Sequence, residues 1–180
     1  GTLFNFVSHT LHYLEWLSGD RIASLSARLW SIPGDTRPGD ASVALQLEFA
    51  SAAAGMVAVS AAANHGTGHE VAFYGENGAV ILRNATGDYM RGFELLTATR
   101  AQRAPETVAL EAVDGHEDGR ILPTSRLISR LIDAMGGGAA AETDLRAGLR
   151  VQALIEAART SDRSRRWVSV ESTDKASREA

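Results

Sequence analysis

The chain has 180 residues, 44% of them hydrophobic and 22% charged, and carries a net charge of −4. That length fills one well-built core, and the composition is that of an ordinary globular domain. No Lys/Arg cluster stands beside an aromatic stripe, which argues against a nucleic-acid surface, and the absence of cysteine excludes disulfides, thiolate metal sites and cysteine nucleophiles.

The first nineteen residues, GTLFNFVSHTLHYLEWLSG, read as an amphipathic helix. At 100° per residue, Leu3, Phe4, Phe6, Val7, Leu11, Leu14 and Leu17 fall on one side, and Asn5, His9, His12 and Trp16 on the other. A surface helix normally turns charge outward. An amide, two imidazoles and an indole suit a ligand pocket better, so the helix is expected to form half of an active site. Gly19-Asp20 stops it.

Residues 21–32 read as a strand, 33–40 as a turn-rich loop, and 41–49 as a second strand with Val43, Leu45, Leu47 and Phe49 on one face. The small apolar run 51–64 is expected to pair with it. Residues 65–69 (HGTGH) form a loop. Strands 70–75 and 79–83 make a hairpin around Glu76-Asn77-Gly78, where Asn-Gly signals a tight turn. Further strands are expected at 92–100 and 107–112, and a polar loop at 114–119. The period then changes to helical over 123–135, with Pro123 near the start and three glycines after the end. Thr143 is expected to cap a helix from about 144 to 160. Trp167 to Val170 is a last short strand. Residues 1–171 make up the domain, and 172–180 a polar tail.

Strands joined by short turns run antiparallel, because parallel crossovers need a dozen or more residues. The expected fold class is therefore α+β: an open, mostly antiparallel β-sheet with helices packed on one face. The small residues of 51–64 leave the other face flat, a surface suited to a homo-oligomer. No apolar run is long enough to span a membrane, and no export signal opens the chain, so a cytoplasmic place is expected. Gly1 leads straight into a helix, which points to one half of a longer protein.

Several of these segments resemble one family. The Gly-start helix carries Ser8-His9 and ends in Trp16-Leu17-Ser18-Gly19. The hairpin Phe73 to Val80 resembles a family turn, and the end Ser161 to Val170 resembles its closing strand. In order and spacing they are similar to the C-terminal domain of the glucose-fructose oxidoreductase / inositol dehydrogenase (Gfo/Idh/MocA) family, a dihydrodipicolinate-reductase-like domain. The resemblance covers nearly all of the chain. It implies an open antiparallel sheet used for substrate binding and dimerisation. It also implies a partner: an N-terminal Rossmann domain that binds NAD or NADP. That domain is not in this chain. No G-x-G-x-x-G follows a strand, and the only lysine is Lys175.

In the family the first helix presents an Asp and, four residues on, a His to the substrate. The His position matches His9, which becomes the catalytic candidate as general base for a hydroxyl proton. The Asp position holds Asn5, which offers hydrogen bonds but no charge to raise the imidazole's basicity. Asn5, His9 and His12 are the substrate-binding candidates for a sugar- or polyol-like molecule. His12 takes no catalytic role and stands where it could pair with Glu15 or Trp16. Trp16 is expected in the core or an interface. A metal at His9, His12, His65 and His69 is disfavoured, because no acidic ligand is spaced with them. Arg126, Arg130, Arg146 and Arg150 read as a solvated face pairing with Asp133 and Glu142. Two other readings stay open: a non-catalytic dimerising module that binds a ligand or a protein, and a small lipid-binding domain, which the low aromatic content (6%) disfavours.

Overall fold

A computed structural model describes residues 1–37, 39–88, 90–110, 118–140 and 143–170. The expected loop 114–119 falls largely outside them, as do the end of the 107–112 strand and the polar tail. The chain opens on a π-helical turn (Leu3–Val7) that runs into α1 (Ser8–Ser18). Then follow β1 (Ile22–Trp30), β2 (Ser42–Phe49), β3 (Ala54–Ser60), β4 (His69–Gly75), β5 (Gly78–Asn84), β6 (Glu94–Thr99) and β7 (Glu106–Val108). Two helices, α2 (Ile121–Met135) and α3 (Leu145–Ser164), precede the short β8 (Val168–Ser169). The order expected from the sequence holds. Most ends move by one to four residues, because helix and strand termini carry the weakest local signals.

The α+β class and the antiparallel pairing hold as well. The strands are hydrogen-bonded as two four-stranded ladders, ordered β3-β2-β1-β8 and β4-β5-β6-β7. The chain divides accordingly into two compact units, one from Gly1–Asn64 and Glu142–Ala180, the other from His65–Ala141.

In the first unit the alternation of β1 and β2 sends Leu25, Ala27, Val43, Leu45, Leu47 and Phe49 to one face, joined by Val57 of β3. Register pairs Leu25 with Leu47, Ala27 with Leu45, and Leu45 with Val57. Leu3, Val7 and Leu11 of the first helix and Leu154, Ile155 and Ala158 of α3 close this core. Only part of the expected apolar face of the first helix is buried, since Phe4, Phe6 and Leu17 are each at least half exposed. For Phe4 and Phe6 the reason is the π-helical turn. A π turn takes more residues than an α turn, so a 100° wheel drawn through residues 3–7 misplaces its neighbours.

The outer edge of β1 is closed in an unusual way. β8 pairs with it only at Ser24 and Leu25. Beyond that, the Ala27 amide donates to Ser161 Oγ at 2.9 Å and the Leu29 amide to Asp162 Oδ1 at 3.1 Å, both from the last turn of α3. Ser161 is fully buried and donates in turn to the Arg166 carbonyl at 2.6 Å.

In the second unit β4 and β5 form the expected hairpin, with Gly75 opposite Gly78 across a two-residue loop. Asn84 fixes the link to β6. Its Nδ2 donates to the carbonyls of Asp88 (2.6 Å) and Arg91 (2.7 Å), and its Oδ1 accepts from the Thr86 amide (2.9 Å). α2 has Pro123 in its first turn and buries none of its residues.

Candidate functional site

The first helix is anchored at its start by a residue that the sequence had placed in a plain loop. Asp40 accepts from the Leu3 amide through Oδ2 at 2.6 Å, and from the Thr2 amide through its carbonyl at 2.8 Å. A carboxylate at a helix N-terminus satisfies free amides and complements the helix dipole. The approach is close enough that any side chain at residue 1 would collide with Asp40, which explains Gly1. At the far end Gly19, at φ 66°, ends α1 in the left-handed conformation.

Beneath the helix lies a buried charge cluster. Glu15 and Arg150 are both almost fully buried. Glu15 Oε1 accepts from Arg150 Nη2 at 2.7 Å and from the Ile22 amide at 2.8 Å, and Oε2 accepts from Arg21 Nη1 at 2.9 Å. Arg150 Nη2 also donates to the Ile22 carbonyl at 2.7 Å. The β1–β2 register slips between Ile22 and Ser24, which leaves the Ile22 peptide groups to this cluster. Burial alone would raise the Glu15 pKa; hydrogen bonds from Arg150, Ile22 and Arg21 outweigh it and hold the carboxyl below its ordinary value. This corrects two expectations. Arg150 is no solvated residue, and Glu15 pairs with it rather than with His12. Four residues separate Glu15 from Leu11, and four separate Arg150 from Leu154, so each charge rides the apolar stripe of its helix.

With α1 fixed this way, Asn5, His9 and His12 line one recess of about 480 Å³ together with Ser8. Its opposite wall is the start of α3, including Thr143, Asp144, Gly148 and Gln152. The cap of α3 is Asp144, whose Oδ1 accepts from the Ala147 amide at 2.9 Å, and not Thr143. Asn5 and His9 are exposed and His12 is half-buried. Among the described residues none of these three side chains has a hydrogen bond or ion pair, so no bond joins Asn5 to His9. Trp16 is 62% exposed and lies outside the core. His65 and His69 belong to the other unit, and His69 is the first residue of β4.

The sequence did not single out the α3 wall. Its signal was the pair Gly148 and Gln152, one turn apart on a helix whose apolar stripe runs through Leu154, Ile155 and Ala158.

Residues 1–170 match the family model described as oxidoreductase family, C-terminal alpha/beta domain. An oxidoreductase of Synechocystis sp. is 26% identical over 97% of this chain and 51% of its own length. A solved oxidoreductase domain protein from Kribbella flavida shares the fold with a TM-score of 0.78, at 20% identity over 96% of this chain and 50% of that one. Levoglucosan dehydrogenase, solved with NADH and levoglucosan, does so with a TM-score of 0.76, at 20% identity over 94% of this chain and 50% of that one. The chain thus spans about half the length of the relatives it matches.

Proposed function

Because the chain belongs to the Gfo/Idh/MocA oxidoreductase family, as its C-terminal alpha/beta domain, we propose that it is the substrate-binding half of an NAD(P)-dependent oxidoreductase acting on the CH–OH group of a sugar or polyol. The observation that carries this reading is the single recess lined by Asn5, His9 and His12, whose side chains have no partner among the described residues. Hydroxyl-rich ligands need such uncommitted donors and acceptors. The NADH and levoglucosan named for one structural neighbour support the same class.

The residues of this chain do not fit a dinucleotide. The glycine-rich loop His65 to His69 leads into a strand rather than a helix, so no helix N-terminus meets a pyrophosphate there, and Gly136 to Gly138 follow a helix rather than a strand. The cofactor therefore belongs to an N-terminal Rossmann half, which would supply hydride exchange. This chain's share is the proton and the position. His9 takes the hydroxyl proton on oxidation and returns it on reduction. Asn5, unbonded to His9, is left to hold a substrate hydroxyl. His12 lines the recess and binds. The proposed oligomer forms through the outward face of β2 and β3, which carries Ala44, Gln46, Met56 and Ala58. Among the described residues no helix is long and apolar enough to cross a membrane. The reading places the intact enzyme in the cytoplasm.

The test is His9→Ala in the full-length protein, with NADH formation followed across a panel of sugars and polyols. The expected loss in kcat is about 10²–10⁴-fold, the usual contribution of a general base. Turnover unchanged by His9→Ala would leave the second reading, a binding module of the same fold, which the neutral Asn5 favours.

A further inference from the structure

The recess beside His9 does not end at His12. A second recess, of about 520 Å³, shares His12 and Val151 with the first and continues past Trp16, Arg21 and Arg146. All of these residues belong to one unit. Most charges along this extension are already committed. Arg21 and Arg150 both bond Glu15. Asp20 accepts from the amides of Arg21 (2.8 Å) and Ser51 (3.3 Å), and Asp144 caps α3. Arg146 is the one arginine of this recess with no hydrogen bond or ion pair among the described residues. Trp16, 62% exposed, stands one helical turn beyond His12 and offers an open indole.

We propose that the ligand of the His9 site extends past His12 into a second sugar ring carrying an anionic group, the ring lying on Trp16 and the anion pairing with Arg146. This rests on the reading of the first recess as a sugar site and adds the substrate class: an acidic glycoside rather than a simple monosaccharide. The C–H face of a pyranose is apolar and slightly positive, and it complements the negative face of an indole. A guanidinium fork donates two parallel hydrogen bonds to a carboxylate or a phosphate, which a neutral hydroxyl cannot match.

Calorimetric titration of the full-length protein with glucose, cellobiose, cellobiouronic acid and cellobiose 6′-phosphate tests the assignment. At low salt at least one acidic disaccharide should bind about tenfold more tightly than cellobiose, through a charge-assisted pair. Which acid wins identifies carboxylate or phosphate as the natural group. High salt should shrink the preference. Arg146→Gln should abolish it while leaving cellobiose binding intact. Trp16→Ala should weaken all three disaccharides and spare glucose. Equal binding of neutral and acidic disaccharides overturns this extension alone, as does an acidic preference that survives Arg146→Gln. Failure of every sugar to bind overturns the reading of the first recess as well.

Discussion

The two units differ in what holds them. Every buried apolar side chain among the described residues belongs to the unit made from Gly1–Asn64 and Glu142–Ala180. That unit also buries an ion pair, Glu15–Arg150, and ties β1 to α3 through Ser161 and Asp162. In the unit His65–Ala141 the one buried residue among those described is Asn84, whose amide organises a loop, and the apolar stripe of α2 is exposed. Density of burial thus follows the candidate site: the recess stands on the better-packed unit. Preorganising a binding wall requires neighbours that do not move, and close packing supplies them.

The contrast breaks most easily at the ion pair. Arg150→Ala leaves Glu15 buried without its main partner and should cost about 3–5 kcal/mol, read from urea denaturation. The double variant Glu15→Leu/Arg150→Met should recover part of that loss: no charge is then buried alone, but the Ile22 amide and carbonyl lose their partners. Next comes a matched pair of core truncations. Leu25→Ala, at a fully buried site, should cost about 2–5 kcal/mol. Leu96→Ala, at a half-buried position of β6, removes less area from cover and should cost under about 1.5 kcal/mol. Equal losses would erase the distinction between the units. The smallest effect is with pH. The Glu15 pKa is lower in the folded protein than its ordinary value of 4.5. The unfolded chain therefore binds the extra proton first, and acid favours unfolding. The contribution of Glu15 is fully present above pH 4.5 and is lost as the pH falls through the folded pKa. Glu15→Gln should flatten the acid limb of a stability-against-pH curve measured by thermal melting.

Much of this was legible in the chain. Alternation at Val43, Leu45, Leu47 and Phe49 gave β2 and its buried face, and Asn77-Gly78 gave the hairpin, because both signals are local. Asn5, His9 and His12 could be grouped because their spacing is helical. Three things were not legible. The π-helical turn has no composition of its own, so Phe4 and Phe6 were turned inward on paper. The partnership of Glu15 with Arg150 spans 135 residues, and only the coincidence of a charge on each apolar stripe hinted at it. The role of Asp40 depends on where a loop returns, which local propensity does not encode.

One feature of the first unit bears on how the protein is made. The edge of β1 beyond β8 draws two hydrogen-bond acceptors from Ser161 and Asp162, and the core draws Leu154, Ile155 and Ala158 from the same helix. A ribosome delivers β1, β2 and β3 first and must then synthesise all of His65–Ala141 before that helix exists. At bacterial to eukaryotic elongation rates this takes roughly 4–15 s. During that interval the nascent sheet has an unfinished edge and an apolar face covered only by the first helix, a state open to strand addition by a neighbour. The helix that walls the candidate recess is thus also the piece that ends this exposure.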